Sequence, residues 1–525
     1  MGAGVRRDVL WGQGAAVDLL KGRERAPVSR LLAQSGPEAW TSFDEEVRRI
    51  GRRSCEPLRG KRIEARLCDP DGRVRASALH AWWLPPLELL LLTWVAWIPP
   101  VRRRIRLVLH RAAATYPPIE LVLIRCADWA PPVRGRARRV LGRMVAKNPV
   151  EWLVHLTPLV LRLGRREHGA WAVEQLEAAL TGRYSLLAAW WRPGRPSTTW
   201  SWNSLTPAQR TDILDRLCER PDLPTRRFAA RLSVETGRLG VRELALLAAC
   251  ELDPATARLW TDAALRAMAA DGPDHAAVDA LLTGRLPMVR ASGVTALRGA
   301  GRAAEAERYL TDRSGLVRAC ARWLVKQDGG DPYEHCLDLV TAPGPISPHA
   351  VTGFAECAKH ADAPLLHHLL GHPSGPVRAA AVAGLRRLDD ATDDALLIPL
   401  LDDPSASVAR EACLSLLQVT ERLDHRHLAE RIRPERPVHV RRAAFRLLRA
   451  RGGIHELRAA VTLSKDPDPF LRRAAQGIVI GWDWQFTWRT GEADLPELAS
   501  LLTRSEHFLH KPGIRLHRSR LGLTD

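Results

Sequence analysis

Histidine, cysteine and acidic side chains could do chemistry in this sequence, but few of them stand at a catalytic or metal-binding spacing. His368 and His372 lie four residues apart, which brings two imidazoles together on a helix and could hold a metal ion. The nine cysteines form no CxxC pair, and no phosphate-binding glycine loop, GxSxG or HExxH motif occurs. We therefore expect no cofactor, no metal ion and no enzymatic activity.

One segment recurs along almost the whole chain. In HPSGPVRAAAVAGLRRL, residues 372–388, a turn leads into Val-Arg and an Ala-rich apolar run, and the pattern returns near Asp69, Asp312 and Lys465. Its anchor arginines recur at intervals of about 31 residues or twice that, which is typical of a solenoid. The anchors are Arg75, Arg102, Arg134, Arg166, Arg227, Arg258, Arg290, Arg318, Arg378, Arg410, Arg441 and Arg472. His372 takes a turn position, so we expect it to be structural.

Each repeated unit is predicted to be a pair of helices. In residues 396–418 an apolar segment is followed by the turn DDPS, and Val408, Ala412 and Leu416 then recur at helical spacing. The sequence therefore predicts an all-α fold, a right-handed α-solenoid of about fourteen helical hairpins. The apolar run of residues 84–100 is too short to span a bilayer, and we expect it to be the first helix of the Arg102 unit.

In several units an aspartate precedes the anchor arginine by six positions. These pairs are Asp69 and Arg75, Asp128 and Arg134, Asp312 and Arg318, and Asp466 and Arg472. This two-helix unit resembles the HEAT repeat, particularly the short bacterial HEAT-like form also seen in phycobilin lyases. The resemblance implies HEAT-like hairpins in which these residues form a structural ladder within and between repeats. Four units depart from the pattern, and we expect the ladder to be interrupted there: His372 stands before Arg378, Gly284 before Arg290, Asp403 precedes Arg410 by seven positions, and Asp253 precedes Arg258 by five.

The chain is strongly basic, with 78 Lys and Arg against 59 Asp and Glu and a formal net charge of +19. Such a charge favours acidic partners. In HEAT-like stacks the second helices line the concave surface, and positions +1, +4, +5 and +8 after the anchor share one helix face. The basic residues predicted there are Arg103, Arg106, Arg138, Arg139, Arg322, Lys326, Arg386, Arg442, Arg446, Arg449 and Arg473. We expect this face to bind an extended, acidic protein partner.

A nucleic-acid partner is the alternative, because a positive groove can also follow a phosphate backbone. The alkylpurine DNA glycosylases of HEAT-like architecture resemble this chain in being basic and tryptophan-bearing, and they use an acidic residue among aromatic rings. Trp482, Asp483 and Trp484 are similar in type, although neighbours on a helix point in different directions. The HEAT-like deoxyhypusine hydroxylases carry several His-Glu pairs for iron, whereas we find only His455-Glu456 here.

Aromatic segments mark the predicted organisation of the chain. Trp190, Trp191, Trp200 and Trp202 flank the loop-like stretch RPGRPSTT, which is either a binding element or a spacer. GWDWQFTW, residues 481–488, follows the last clear repeat and is expected to cap the open core. The predicted parts are an N-terminal helical cap (1–59), N-terminal repeats (60–191), a Trp- and Pro-containing loop (192–206), C-terminal repeats (207–480), and a C-terminal cap with a basic tail (481–525). Scattered cysteines and the lack of a signal-like apolar core at the start predict a cytoplasmic location without membrane insertion.

Overall fold

The computed structural model describes residues 2–21, 28, 32, 35–54, 62–80, 118–183, 205–388, 394–489 and 493–523. All regular secondary structure in these ranges is helical, and no strand occurs in them. The predicted all-α fold is therefore confirmed. The chain divides into two compact units, Met1–Val289 and Arg290–Asp525. The domain boundaries proposed from the sequence remain a prediction.

The first unit is a succession of helices. They are α1 (Gly2–Leu20), α2 (Pro37–Ser54), α3 (Ile63–Leu67), α4 (Gly72–His80), α5 (Ile119–Arg125), α6 (Pro131–Val145), α7 (Pro149–Leu163), α8 (Ala170–Thr181), α9 (Pro207–Cys218), α10 (Leu223–Glu235), α11 (Val241–Cys250), α12 (Pro254–Asp271) and α13 (His275–Leu282). The next helix, α14 (Pro287–Gly299), begins at the end of this unit and lies mostly in the second.

The second unit continues the same succession. Its helices are α15 (Gly315–Gln327), α16 (Pro332–Thr341), α17 (Pro348–Cys357), α18 (Ala363–Leu369), α19 (Gly375–Arg387), α20 (Asp394–Leu400), α21 (Ala406–Leu416), α22 (His425–Arg431), α23 (Val438–Arg451), α24 (Gly453–Leu463), α25 (Pro469–Ile480), α26 (Trp484–Arg489), α27 (Leu495–Ser505) and α28 (Lys511–Arg520). Short 3₁₀ segments lie at Ala303–Thr311, His360–Asp362 and Leu417–Arg422.

Helix packing follows chain order, as a solenoid requires. Consecutive helices pair into hairpins, such as α9 with α10 and α24 with α25. The second helix of one hairpin then packs on the second helix of the next, as α10 does on α12 and α19 does on both α17 and α21. Each unit is therefore a stack of helical hairpins, and the predicted α-solenoid is confirmed.

Turn residues fix where many of these helices begin. The side chains of Asp253 and Asp468 accept hydrogen bonds from backbone N–H groups at the starts of α12 and α25. Thr206 and Gln209 form a reciprocal capping box at the start of α9. Proline occupies an early position of all three helices, where its missing N–H costs little. The Pro- and Asp-containing turns of the repeat are thus helix starts.

Two pairs of helices that are separated by long stretches of sequence contact each other directly. Helix α4 packs on α6, and Arg75 Nη2 lies 2.9 Å from Asp128 Oδ1. Helix α7 likewise packs on α9. The sequence predicted an Arg102 unit between the Arg75 and Arg134 units. This buried ion pair links the Arg75 and Arg134 units directly, and the predicted Arg102 unit lies outside the described residues.

Several predicted features lie outside the described residues. They are the Arg102 anchor, the apolar run of residues 84–100, Arg103, Arg106, Trp190, Trp191, Trp200 and Trp202. Within the described ranges, alanine, leucine and valine fill the interior of both units, and Trp260 and Trp484 are buried. No helix in those ranges is long and apolar enough to cross a bilayer.

Candidate binding surface

The anchor arginines tie neighbouring hairpins together. Arg441 is 5% exposed, and its Nε and Nη2 donate to the two carboxylate oxygens of Asp466 in the next turn, at 2.9 and 3.0 Å. Its Nη1 donates to the carbonyl oxygens of Pro434 and Arg436, which belong to its own turn. Arginine suits this double contact because its planar group carries five N–H donors in fixed directions. One side chain therefore holds two consecutive turns.

The same contact recurs through both units. Arg75, Arg318 and Arg378 each donate from Nη1 to the carbonyl oxygen of the residue six positions earlier. Arg134 and Arg472 make this carbonyl contact as well. The arginine–carboxylate pairs are Arg75–Asp128, Arg227–Asp253, Arg290–Asp312, Arg318–Glu356, Arg378–Asp403 and Arg441–Asp466. In these pairs the arginine therefore binds a carboxylate further along the chain and, where the carbonyl contact is present, the backbone of its own turn.

The ladder aspartates also stabilise their own turns. The Oδ1 atoms of Asp128, Asp312 and Asp403 accept the backbone N–H two residues later, at 3.0, 2.7 and 2.7 Å. Burial opposes ionisation of Asp312 and Asp403. Hydrogen bonds from Arg290 and the backbone nevertheless hold the pKa of Asp312 below its usual value, and Arg378 with the backbone does the same for the pKa of Asp403. The carboxylates of Asp312 and Asp403 are therefore ionised at neutral pH.

The expected interruptions of the ladder at Arg378 and Arg290 are wrong. Arg378 binds both carboxylate oxygens of Asp403, at 2.9 and 2.7 Å, and Arg290 does the same with Asp312, at 2.9 Å each. His372 contributes its backbone carbonyl to Arg378, so its side-chain type does not affect this contact. Its Nδ1 accepts the N–H of Ser374, as an aspartate would. These arginines are therefore structural.

The interruptions expected at Arg258 and Arg410 are present, because both side chains are exposed. Arg258 is 74% exposed and lies 3.6 Å from Asp262 in its own helix. Arg410 is 68% exposed and pairs with its neighbour Glu411. In the next unit after Arg258, Gly284 stands where the acceptor aspartate would be. The turn after Arg258 therefore lacks a carboxylate at the usual place, whereas Glu435 stands at that place in the turn after Arg410.

Four of the nine described basic residues predicted on the binding face are half-buried. Arg138 stacks over Trp171, with 4.3 Å between guanidinium carbon and ring centroid. Arg139 is half-buried. Arg322 pairs with Glu356, and Arg386 donates to Glu411 Oε2 at 2.6 Å. Arg386, which the sequence predicts on the exposed face, is half-buried and links two hairpins. The binding role of this whole set remains a prediction.

The remaining members of the predicted face are exposed. Arg442 pairs with Asp468 at 3.0 Å, and Arg449 lies 3.5 Å from Glu456. No carboxylate in the described ranges pairs with Lys326, Arg446 or Arg473. Three of these five cations therefore keep a charge that no described carboxylate neutralises.

Exposed cations and apolar side chains share one surface near the end of the second unit. We call it the C-terminal face. It comprises Arg442, Arg446 and Arg449 on α23 and Phe470, Arg473, Gly477 and Ile480 on α25. Each set follows the spacing of three or four residues that puts side chains on one side of a helix. Phe470 is 63% exposed and Ile480 is 60% exposed. The guanidinium of Arg442 lies 5.4 Å from the ring centroid of Phe470, which joins the two helices.

A smaller surface of the same type lies earlier in the second unit. Arg298 on α14 stacks on Trp323 of α15 at 5.6 Å, Trp323 is 45% exposed, and Lys326 follows one turn later. On the second helices between these two surfaces, Phe354 on α17 and Ala379 on α19 are buried. This surface shares no residue with the C-terminal face, and the continuous basic face expected from the sequence remains a prediction.

Trp482, Asp483 and Trp484 do not converge on a pocket. Trp484 is 1% exposed, in the core of the second unit. The Trp482 indole N–H donates to Thr487 Oγ1 at 2.8 Å, and Asp483 accepts the N–H of Phe486 at the start of α26. Asp483 is therefore a helix-capping residue. Among the described residues, no group of three or more His, Cys, Asp or Glu is arranged to hold a metal ion.

Two elements of the surface were not found from the sequence. Glu356 binds Arg318 although it lies 38 positions later and outside the six-residue spacing, so no local pattern marks it. Phe470 and Ile480 could have been found, because they flank Arg473 at helical spacing on the face already predicted to be exposed.

No protein-family profile matches this sequence, and no curated protein is significantly similar to it. Among solved structures the chain is similar to importin beta, at 13% identity and a TM-score of 0.27, over 97% of this chain and 66% of that one. It is also similar to Kap95p, solved with RanGDP (11% identity, TM-score 0.29, 94% and 67%), and to Kap121p bound to Pho4p (13%, 0.24, 99% and 53%). The chain thus spans about two thirds or less of these proteins. The fold assignment rests on the packing of its own helices.

Proposed function

We propose that this chain is a non-enzymatic scaffold of HEAT-like repeats that binds an extended, acidic protein segment, with the C-terminal face as its docking surface. The resemblance to the short bacterial HEAT-like form, a concave position for this face and a cytoplasmic location are parts of the same proposal. The observation that carries it is the alternation of exposed Phe470, Arg473 and Ile480 along α25.

The mixture of groups on this face favours a protein over a nucleic acid. A phosphate backbone is best matched by a continuous row of cations, since affinity comes from the number of phosphates that are neutralised. Here Arg473 lies between the exposed Phe470 and Ile480 along α25, and Arg442 is already paired with Asp468. Isolated cations beside apolar side chains match an acidic segment that presents its own apolar residues. The arrangement around Asp483 does not favour base excision.

The test compares one face with matched exposed arginines elsewhere. A labelled amphipathic peptide rich in glutamate and leucine is titrated with the full chain in low salt, and a random duplex DNA is titrated in parallel. We expect the peptide to bind and the double variant Arg446→Glu, Arg473→Glu to bind it at least about tenfold more weakly, because like charges facing each other cost several kcal/mol. The control is Arg258→Glu, Arg410→Glu, which makes the same charge change at exposed sites outside the face.

Each comparison in this experiment tests a different part of the proposal. Equal weakening by the two double variants would show that net charge, and not the C-terminal face, drives binding. DNA binding without peptide binding would replace the protein partner with a nucleic acid. Phe470→Ala should weaken peptide binding further without changing charge, since it removes an exposed ring; unchanged affinity in this variant would remove the apolar part of the proposal.

A further inference from the structure

A cavity lies beside the exposed Trp323 in the second unit. Its volume is about 250 Å³, and its walls come from the end of α14, the 3₁₀ segment Ala303–Thr311 and the end of α15. The 3₁₀ segment takes the place of a first helix in this hairpin and packs on α15. Ala303 and Ala304 contribute only methyl groups to the wall, so the space between the segment and α15 stays open.

Apolar and basic side chains surround this cavity. Arg298 lines it and also stacks on Trp323, with 5.6 Å between the guanidinium carbon and the ring centroid. Leu316 lies two turns before Trp323 on the same side of α15 and is 52% exposed. Lys326 is exposed one turn after Trp323. Among the described residues no carboxylate pairs with Arg298 or Lys326, so both charges are available to a ligand.

The size and charge of the cavity favour part of a protein segment as its ligand. Pockets that hold drug-sized molecules measure about 300–1,000 Å³, so this smaller one suits a single apolar side chain. Asp328 on the cavity wall is exposed and is outnumbered by the two cations Arg298 and Lys326. A segment that carries carboxylates around an apolar side chain is therefore complementary to this place, and Asp328 can accept a backbone N–H of that segment.

We propose that this cavity and Trp323, together the Trp323 site, form a second docking site for the acidic segment that binds the C-terminal face. One extended partner then contacts both places. The inference rests on the proposed function, because it concerns the same partner. The Trp323 site binds more weakly by itself than the C-terminal face, because Asp328 opposes an acidic ligand. It adds affinity for partners that are long enough to reach it.

The stack of second helices sets the length that such a partner needs. Helices α15, α17, α19, α21 and α23 follow one another as second helices, and the ion pair between Arg318 and Glu356 joins the first two. Packed helices lie about 8–10 Å apart, so the four steps from α15 to α23 amount to about 32–40 Å. An extended chain covers about 3.3 Å per residue, so about 10–12 residues reach from one site to the other.

The experiment uses the full-length chain and compares two ligands. One is a single copy of the peptide rich in glutamate and leucine, and the other is two copies joined by a Gly/Ser linker of about 20 residues, whose full extension of about 66 Å exceeds the distance to be spanned. We expect the tandem peptide to bind at least about tenfold more tightly than the single one, because its second contact is intramolecular. Arg298→Glu, Trp323→Ala should reduce this gain to about the factor of two that two copies give by number alone, with the affinity of the single peptide nearly unchanged.

Two further variants separate the site from its charge. Ala304→Trp fills the cavity without changing the charge and should remove the gain as well. The control Arg258→Glu, Leu252→Ala makes the same charge change and removes an apolar side chain at exposed positions of the first unit, so it should keep the gain.

The outcomes distinguish this inference from the proposed function. If the single peptide binds but the tandem peptide gains no more than about twofold on the wild-type chain, or if the control variant loses the gain equally, the Trp323 site is wrong and the proposed function stands. A gain that survives in Ala304→Trp also overturns the Trp323 site. If neither peptide binds the chain, both proposals fall.

Discussion

At the scale of single residues, anchor arginines such as Arg75, Arg378 and Arg441 link consecutive turns of the stack. The carboxylate that binds an anchor arginine lies further along the chain. The aspartate six residues before the arginine binds that same arginine through its backbone carbonyl. Arg378 shows this clearly, because it is fully engaged although His372 replaces the aspartate in its own turn. The acidic residue of a turn is therefore needed by the anchor arginine of the preceding unit. The unit before Arg378 has no anchor arginine, so the turn position six residues before Arg378 can be occupied by His372.

The first prediction contrasts a buried anchor with an exposed one. Arg441→Ala should cost about 3–5 kcal/mol of local stability, because it leaves the buried carboxylate of Asp466 without its main partner. Arg410→Ala should change stability little, since its side chain is 68% exposed and paired only at the surface. The measurement is native-state hydrogen exchange of α23 and α25 for Arg441→Ala, and of α21 for Arg410→Ala. Equal acceleration of exchange by the two variants would contradict the ladder.

At the scale of helices, alanine and glycine on the second helices determine how closely hairpins stack. Ala412 on α21 and Ala444 on α23 are fully buried, so two second helices approach each other closely there. Gly353 on α17 serves the same purpose, because a Cβ at that position would lie 2.5 Å from the carbonyl oxygen of Leu310. Gly477 on α25 differs, since a Cβ there would meet open space.

The second prediction uses these two glycines as a matched pair. Gly477→Ala should stabilise the chain by about 0.5–1 kcal/mol, because alanine loses less backbone entropy in a helix and nothing lies in its way. Gly353→Ala should destabilise it by about 1–3 kcal/mol through overpacking against Leu310. Thermal unfolding followed by circular dichroism compares the two variants with the wild type. A stabilising Gly353→Ala would show that α17 can move away without loss, against the close packing described.

At the scale of the whole molecule, the ladder makes stability depend on pH. The folded-state pKa values of Asp253, Asp312, Asp403 and Glu356 are lowered, because arginines and backbone N–H groups bind their charged forms against the effect of burial. A carboxyl whose pKa is lower in the folded state stabilises the fold above its unfolded-state pKa of about 4. That stabilisation disappears as the pH falls through the folded-state pKa.

The third prediction follows from this sign. The thermal midpoint should change little between about pH 7 and 5 and should fall steeply below about pH 4, where the excess of positive charge on a chain already at +19 also grows. Asp403→Asn should lower the midpoint at pH 7 and flatten its fall in acid, because one of the contributing carboxyls is gone. The check is circular dichroism melting at several pH values, and parallel curves for the variant and the wild type would contradict the assignment.

The sequence by itself determined the class of fold and the role of the repeated arginine. Helical spacing, proline at helix starts and a regular period are local properties, so they could be read without coordinates. Helical spacing also predicted that Arg446 and Arg473 are exposed, and both are.

Only the tertiary structure decided which side chains meet. The partners of Arg318, Arg378 and Arg386 lie 38, 25 and 25 positions away. Such contacts depend on the rotation and rise of one hairpin relative to the next, which is set by the packing of many side chains at once. A cation that looks available in the sequence is therefore bound or exposed according to what the neighbouring repeat places opposite it.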